Sequence, residues 1–252
     1  MAPDHDSLRV RLLQVRERAA VRAEELESFR ERCRLRPDQV LSTDVLTEPL
    51  DAGLLDGVDA VFIGGAGAYS VTRTYPFTAP LIRLLHASAE RAIPTFGSCW
   101  GHQFLARAFG GEVVFDPDRS EMGTHAVRLT EAGQDDPLFG TLPQRFYAQM
   151  GHQDRVARLP DGAVELASNE VAPFQAFRLA DVPVYGTQFH SELTAERERQ
   201  RLITYQAYYS EVWDEGEFER TLASLRETPE IDGLLYAFLQ HHCVEATSAF
   251  PR

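Results

Sequence analysis

The sequence has few cysteines and no long apolar run. Its 252 residues include only three cysteines, at 33, 99 and 243, which are too few and too scattered for a disulfide framework, and no CxxC pair indicates a metal site. No stretch of 18 apolar residues occurs, and residues 4 to 6 read Asp-His-Asp where an export signal would be basic and then apolar. These absences predict a cytoplasmic protein with no membrane span and no bound metal.

Positive charge is scarce relative to negative charge. The chain has 25 Lys and Arg against 38 Asp and Glu, a formal net charge of -13. Nucleic-acid binding needs clustered cations that displace counterions from phosphates, so nucleic acid is not expected as a partner. The Arg-rich stretch from Arg16 to Arg36 is interleaved with glutamates, which is typical of a solvated, salt-bridged helix face.

Short apolar runs alternate with helical patterns along most of the chain. Four runs have the length and composition of strands: 10–15, 58–63, 93–96 and 184–189. Such alternation predicts an α/β fold with a doubly wound, mostly parallel sheet covered by helices on both faces, over residues 1–195. From Thr194 onward the strand signals stop, and we expect residues 196–252 to form a helical C-terminal extension of the same domain.

The extension contains apolar residues at helical spacing, and such stripes need a surface to pack on. They are Leu202, Ile203, Tyr205, Tyr209, Phe218, Leu222, Leu225, Leu234, Leu235, Phe238 and Leu239. Burial against the α/β core of the same chain is the default expectation. The alternative is that part of this surface contacts a partner protein or a second copy of the chain in a homodimer.

The stretch with the strongest chemical signal is 97–103, Gly-Ser-Cys-Trp-Gly-His-Gln, where a cysteine stands between a predicted strand and a helix. In a nucleophile elbow, small residues on both sides let strand and helix approach while the nucleophile has a strained backbone. Gly97 and Gly101 are such residues, and a helix N-terminus favours the thiolate. Cys99 is the candidate nucleophile, although this motif alone fits a buried structural cysteine equally well.

A second stretch, 186–192, supplies a base and an acid. A nucleophilic cysteine needs a base within hydrogen-bond reach, and that base needs a third group to hold its tautomer. His190 and Glu192 fit these roles if the chain is extended there, because residues i and i+2 share a side only in extended structure. His102, three residues after Cys99, is a weaker candidate for the base.

A glycine-rich turn, residues 63–71, directly follows a predicted strand. It contains neither G-x-x-x-x-G-K-[ST] nor G-x-G-x-x-G, so no nucleotide cofactor is expected. Acyl transfer needs backbone amides aimed at the oxyanion, usually one from the residue after the nucleophile and one from another loop. The turn fits the second of these.

Together these motifs resemble the class I, triad-type glutamine amidotransferases. The resemblance rests on GSCWGHQ at 97–103, EMG at 121–123, GHQD at 151–154 and QFHSE at 188–192. It is strongest toward stand-alone proteins similar to the amidotransferase domain of GMP synthase. It implies a flavodoxin-like fold and a Cys-His-Glu triad that forms a γ-glutamyl thioester and releases ammonia, with no cofactor.

The resemblance also implies roles for particular residues. The triad of nucleophile, base and orienting acid would be Cys99, His190 and Glu192. The backbone amides that bind the oxyanion would be those of Gly65 and Trp100. The residues that contact the substrate would be Gln103, Gly123 and His152.

Two positions depart from the family pattern. Ser191 stands where members commonly have proline, which should alter loop rigidity more than chemistry. Gly151 stands where many members have a serine that helps to hold the α-amino and carboxylate groups of glutamine, and GHQD is similar to γ-glutamyl peptidases of the same superfamily. Three functions therefore stay open: an amidotransferase that passes ammonia from glutamine to a separate synthetase subunit, a γ-glutamyl peptidase or hydrolase without a partner, and a catalytically silent binding subunit.

We expect Cys99→Ala to abolish hydrolysis of a γ-glutamyl amide without unfolding the protein, because the thiolate forms the acyl intermediate. His190→Ala should lose a comparable activity, roughly a thousandfold or more, and Glu192→Ala somewhat less. Steady-state kinetics and circular dichroism measure both effects. A double mutant of Cys99 and His190 far slower than either single mutant would show that the two residues do not share a step.

Overall fold

The computed structural model describes residues 4–208, 213 and 216–245. The strands in this part of the chain are β1 (Val10–Gln14), β2 (Val40–Asp44), β3 (Ala60–Ile63), β4 (Thr95–Ser98), β5 (Glu112–Phe115), β6 (Glu121–Leu129), β7 (Arg145–His152), β8 (Asp154–Arg158), β9 (Val164–Ser168), β10 (Ala176–Arg178) and β11 (Val184–Thr187). The helices are α1 (Ala19–Arg32), α2 (Thr78–Glu90), α3 (Trp100–Ala108), α4 (Glu131–Asp135), α5 (Ala195–Tyr205), α6 (Glu217–Ser224) and α7 (Leu234–Leu239).

Nine strands form one sheet in the order β2-β1-β3-β4-β11-β10-β9-β6-β7. The pairings from β2 through β11 are parallel. Those from β11 through β7 are antiparallel. A separate antiparallel pair consists of β5 and β8. The parallel strands extend from the middle of the sheet to one of its sides. The carboxyl ends of β3, β4 and β11 lie next to one another.

Helices cover both faces of the parallel part, because alternate residues of each buried strand point to opposite sides. On one face, Phe62 of β3 belongs to the same buried cluster as Phe29 of α1 and the apolar residues of α7. On the other face, Ile63 packs with the apolar stripe of α2 and with Phe104 of α3. The predicted α/β fold class with a doubly wound sheet is confirmed.

The four predicted strands correspond to β1, β3, β4 and β11, and helices lie between them as expected. Strand β2 and the strands from β5 to β10 were not predicted. Each of them contains at least one charged residue, so no continuous apolar run marks it.

The C-terminal helices differ in how far their apolar residues are buried. Leu234, Leu235, Phe238 and Leu239 of α7 are fully buried in the core, whereas Ile203 of α5 is 52% exposed and does not belong to the buried stripe that was expected. Tyr209 lies outside the described residues. No helix in the described ranges has the length and hydropathy needed to cross a membrane.

Phe238 is the aromatic centre of the α7 contact. Its ring meets those of Phe62, Phe96 and Tyr185 edge-on at centroid distances of 5.8, 5.3 and 5.8 Å. Edge-to-face pairs of this kind add to the stabilisation from burial.

Phe238→Ala should destabilise the fold by about 3 to 5 kcal/mol, since it removes a fully buried ring and leaves a cavity over the sheet. Urea unfolding followed by circular dichroism measures the loss. Ile203→Ala on α5 is the matched control and should stay within about 0.5 kcal/mol of the parent. Equal stability of the two variants would show that α7 does not contribute to the core.

Candidate active site

Cys99 stands at a sharp turn between β4 and α3. Its backbone has φ 51° and ψ -102°, a conformation that non-glycine residues rarely adopt. A Cβ on Gly97 would lie 2.5 Å from the carbonyl carbon of Gly101, and one on Gly101 would lie 2.4 Å from the carbonyl oxygen of Ile63. Because neither position has room for a Cβ, both glycines are required for α3, β4 and β3 to approach one another this closely.

His190 and Glu192 follow β11, the strand that pairs with β4. The Cys99 N–H donates to the Thr187 carbonyl at 2.7 Å, and His190 bridges to Gln149 as extended backbone. The chain is thus not helical here, as the assignment of base and acid requires. His190 Nδ1 and Glu192 Oε1 are 2.6 Å apart, and both side chains are buried.

The acid is held from a second side by a serine that sequence reasoning missed. Ser98 Oγ donates to Glu192 Oε2 at 2.8 Å, so the carboxylate is fixed between Ser98 and His190. Ser98 precedes the nucleophile and is paired in register with Thr187. Its position in the elbow motif could have indicated this contact, because a residue that ends β4 faces the end of the adjacent β11.

The electrostatics favour a charged histidine and a charged carboxylate. Burial by itself lowers the pKa of His190, but the charge of the Glu192 carboxylate and the nearby Cys99 raise that pKa well above its ordinary value. Burial by itself raises the pKa of Glu192, but His190, Arg201 and Ser98 lower it to about 2. His190 is therefore charged at neutral pH and is able to give a proton to a leaving group.

The glycine-rich turn after β3 is engaged by a buried ion pair. Gly65 N–H donates to Glu25 Oε1 at 3.2 Å, and Arg16 donates to the same oxygen through Nε and Nη2 at 2.9 and 2.8 Å. A Cβ on Gly65 would lie 2.5 Å from Arg16 Nη2. The predicted use of the Gly65 amide as an oxyanion donor is therefore not available in this conformation, because the amide already has an acceptor.

Other backbone amides remain for the oxyanion. The Trp100 N–H lies in the first turn of α3, where amides have no partner within the helix. In the described part of the chain the Ala66 N–H donates to no acceptor, and Ala66 lies beside Cys99. Trp100 and Ala66 are the donors that this geometry favours.

The Arg16–Glu25 pair also corrects the prediction of a solvated helix face. Arg16 is 2% exposed and Glu25 is fully buried. Gln14 Nε2 adds a 3.1 Å hydrogen bond to Glu25, and Arg201 of α5 lies 3.7 Å from it. Periodic charge along α1 gave no sign that one of its glutamates faces inward to the site.

Among the described residues, Cys99 lines two adjoining pockets. The first, the Gln103 pocket, is lined by Cys99, Gln103, His152 and Asp154 with neighbouring residues. The second, the Glu198 pocket, is lined by Cys99, Gly151, His190, Glu198 and Tyr205 with neighbouring residues. Both pockets also include Ala66, Gly67 and Gly151, so they meet at the cysteine.

Gln103 and His152 were both predicted to contact the substrate, and both line the Gln103 pocket. Gln103 Nε2 donates to the Asp154 carbonyl at 2.6 Å and to Gln188 Oε1 at 3.0 Å. The His152 ring contacts the Asp154 carbonyl through Nδ1 at 3.1 Å and Glu121 Oε2 through Nε2 at 3.2 Å. Because both ring nitrogens are engaged by protein acceptors, His152 shapes the pocket and its side chain is not free to bind a ligand.

Gly123, the third predicted substrate contact, lies elsewhere. It is a β6 residue with φ 91°, and a Cβ there would come 2.9 Å from Thr221 of α6. It is not among the described residues that line either pocket beside Cys99. The glycine is needed for backbone conformation and helix packing, and its contact with the substrate stays a prediction.

Glu198 is the second residue that sequence reasoning missed. It lies in the first turns of α5, is 1% exposed and lines the pocket that holds His190. Burial raises the pKa of its carboxyl to about 7, against the opposing effects of His190 and Arg201. It belongs to a run of charged residues from Glu196 to Arg201 in which nothing distinguishes an inward-facing glutamate.

His102, the weaker candidate for the base, is not part of the triad. His102 is fully buried against Phe177, with ring centroids 4.9 Å apart, and burial lowers its pKa to about 3. Within the described ranges no group of three or more His, Cys, Asp or Glu side chains is placed to hold a metal ion.

The site consists of a strained cysteine on an elbow of an α/β sheet, beside a buried histidine and carboxylate. This arrangement is typical of proteins with an activated thiol nucleophile. The sequence model of the family described as "Glutamine amidotransferase class-I" matches residues 32–208. This chain belongs to that family, and the resemblance found in the sequence is confirmed.

Several proteins of known name are similar to this chain. Glutamine-hydrolysing GMP synthase of Thermosipho africanus is 39% identical over 135 residues, which cover 54% of this chain and 24% of that protein. One subunit of glutamine-hydrolysing GMP synthase from Archaeoglobus fulgidus is 35% identical over 104 residues, covering 41% of this chain and 55% of that protein. The matches thus span between a quarter and just over half of these relatives.

Solved structures extend the similarity to most of the chain. A glutamine amidotransferase from Thermotoga maritima has a TM-score of 0.69 at 25% identity, over 93% of this chain and 98% of that one. A glutamine amidotransferase from Methylobacillus flagellatus has a TM-score of 0.70 at 23% identity, over 93% and 95%. The second likeness supports the fold alone.

Glu198→Gln should make stability less dependent on pH. The carboxyl has an ordinary pKa of 4.5 and a folded pKa of about 7, so its contribution is intact below pH 4.5 and is lost as the pH rises through 7. The stability of Glu198→Gln relative to the parent should therefore grow by about 2 to 3 kcal/mol between pH 5 and pH 8.

Urea unfolding at several pH values measures this difference. Glu196→Gln on the same helix is the control, because the Glu196 side chain is 66% exposed. Parallel stability curves for Glu198→Gln and the parent would contradict the burial of an ionisable carboxyl at this position.

Proposed function

We propose that this chain hydrolyses the γ-amide of glutamine through a thioester on Cys99 and releases ammonia. The observation that carries the proposal is the strained Cys99, which lines one pocket with a His190 that is itself paired at 2.6 Å with Glu192. Membership of the class-I glutamine amidotransferase family supports the same chemistry.

The proposed reaction has two steps. The Cys99 thiolate attacks the γ-carbonyl carbon, and the amides of Trp100 and a turn residue stabilise the oxyanion. Collapse of the tetrahedral intermediate breaks the C–N bond while His190 gives its proton to the leaving nitrogen. In the second step His190 takes a proton from water, which attacks the thioester and releases glutamate. Glu192 holds the imidazole in place throughout.

The acceptor of the ammonia is proposed to lie on a separate protein. The sequence contains no nucleotide-binding glycine motif with which it could activate an acceptor. Several relatives are named as one subunit of glutamine-hydrolysing GMP synthase, a name that supports work together with another subunit. We infer that a synthetase is the partner.

A second candidate function is hydrolysis of γ-glutamyl peptides without a partner. The observation that favours it is Gly151, which lines the Glu198 pocket without a side chain and so leaves space next to His190 for a leaving group larger than ammonia. The two candidates use the same thioester and differ only in what leaves.

Steady-state rates with glutamine and with γ-glutamyl dipeptides separate these candidates. We expect ammonia release from glutamine with a kcat/KM at least about tenfold higher than for any dipeptide, and no turnover by Cys99→Ala. A higher kcat/KM for dipeptides would favour the peptidase. If an electrophilic glutamine analogue labels Cys99 but no substrate turns over, alone or with a synthetase, the chain is a silent binding subunit.

A further inference from the structure

Glu198 presents an unsatisfied carboxyl oxygen to the site. The side chain is 1% exposed, and its Oε1 accepts no hydrogen bond from any described residue. Buried polar atoms are nearly always hydrogen-bonded, since an unpartnered carboxyl loses its hydration without compensation. An exception that lines a pocket next to the candidate nucleophile points to a ligand that completes it.

The nearby arginines already have other partners. Arg16 donates twice to Glu25, and Arg201 Nε donates to Glu24 at 2.8 Å. Both guanidinium groups lower the pKa of Glu198 through space, but neither donates a hydrogen bond to its carboxyl. The missing partner of Glu198 must therefore be a hydrogen-bond donor that enters from the pocket, and a small cation fits a carboxylate best.

The residue at position 151 determines whether the Glu198 carboxyl faces open space. A Cβ on Gly151 would lie 3.4 Å from Glu198 Oε1, so a serine there would place a hydroxyl close to this oxygen. The glycine of this chain provides no such hydroxyl. Glu198 therefore lines the pocket beside Cys99 with no side chain of residue 151 between them.

The chemistry of the triad indicates which end of the substrate meets Glu198. The leaving nitrogen receives its proton from the base, so it must leave on the side of the thiol where His190 lies. His190 lines the Glu198 pocket and is not among the described residues of the Gln103 pocket. The glutamyl group then lies in the Gln103 pocket and the leaving amine in the Glu198 pocket.

We propose that Glu198 binds the ammonia released from the substrate, as ammonium, in the pocket beside His190. This inference rests on the proposed function. Cleavage of the C–N bond, with one proton from His190, yields neutral ammonia. A protonated Glu198 carboxyl transfers its proton to that ammonia, and the resulting ammonium pairs with the carboxylate. An ionised carboxyl accepts a hydrogen bond from ammonia directly, and a solvent proton completes the ammonium.

The first test measures binding without turnover. Methylammonium chloride is the probe, and sodium chloride at equal ionic strength is the control. In each salt the rate of Cys99 alkylation by iodoacetamide is measured by peptide mass spectrometry. We expect methylammonium to slow alkylation in the parent and in Glu196→Gln, and to protect Glu198→Gln at least about tenfold less well. No protection in the parent, or equal protection in Glu198→Gln, would overturn the proposal.

The second test measures ammonia during turnover. Exchange of ¹⁵N-ammonium into glutamine requires ammonia to attack the thioester, so the ratio of exchange to hydrolysis reports ammonia binding independently of the rate of the triad. Glu198→Gln should lower this ratio about tenfold or more. Gly151→Ser should lower it too, because its hydroxyl competes for the same oxygen. An unchanged ratio in both variants would refute the assignment.

A third comparison distinguishes the leaving ammonia from the α-ammonium of the substrate. If Glu198→Gln raises the KM for glutamine, leaves the KM for the analogue lacking the α-amino group unchanged, and does not alter the exchange ratio, Glu198 binds the α-ammonium and the proposal is wrong. Methylammonium protection without glutamine hydrolysis would support the amine pocket and refute glutamine as the substrate.

Discussion

The close approach of α3 to the ends of β3 and β4 is the constraint on which the site depends. It brings the Gly101 backbone against the Ile63 carbonyl and leaves Cys99 in a left-handed conformation that a cysteine does not adopt without support. The same turn places Ser98 where it donates to Glu192. One packing contact between backbones thus positions the thiol, directs it away from the sheet and fixes the acid behind the base.

Two of the buried carboxylates are compensated by separate sets of partners. Glu192 is compensated by His190 and Ser98, and Glu25 is compensated by Arg16, Gln14 and the Gly65 amide. Buried carboxylates are stable only with such partners, and removal of one partner is costly. Arg201 lies near both groups and links α5 to α1, so the helix that follows the triad is held electrostatically as well as by packing.

The sequence was most informative where local rules determine structure. Apolar runs between breakers located four of the five parallel strands, all but β2, and the G-x-C-x-G pattern located the elbow, because both depend on near neighbours. It failed where long-range packing decides. Nothing in the local sequence shows that Glu25 and Glu198 face inward, since many other glutamates are exposed. Nor does it show that Glu25 accepts a hydrogen bond from the Gly65 amide, or that Gly123 packs against α6. The antiparallel strands from β5 to β10 were missed because charged residues within them leave no continuous apolar run.

The position of α7 affects how the protein is made. Phe238 covers Phe62 and Phe96, which are synthesised much earlier, so the part of this sheet face that α7 covers stays exposed until the late residues have left the ribosome. During that interval the exposed aromatic rings are targets for chaperones and for aggregation with other nascent chains. A nonsense mutation late in the gene would therefore be expected to produce a protein that is cleared from the cell, even though every residue of the elbow and the triad had been translated.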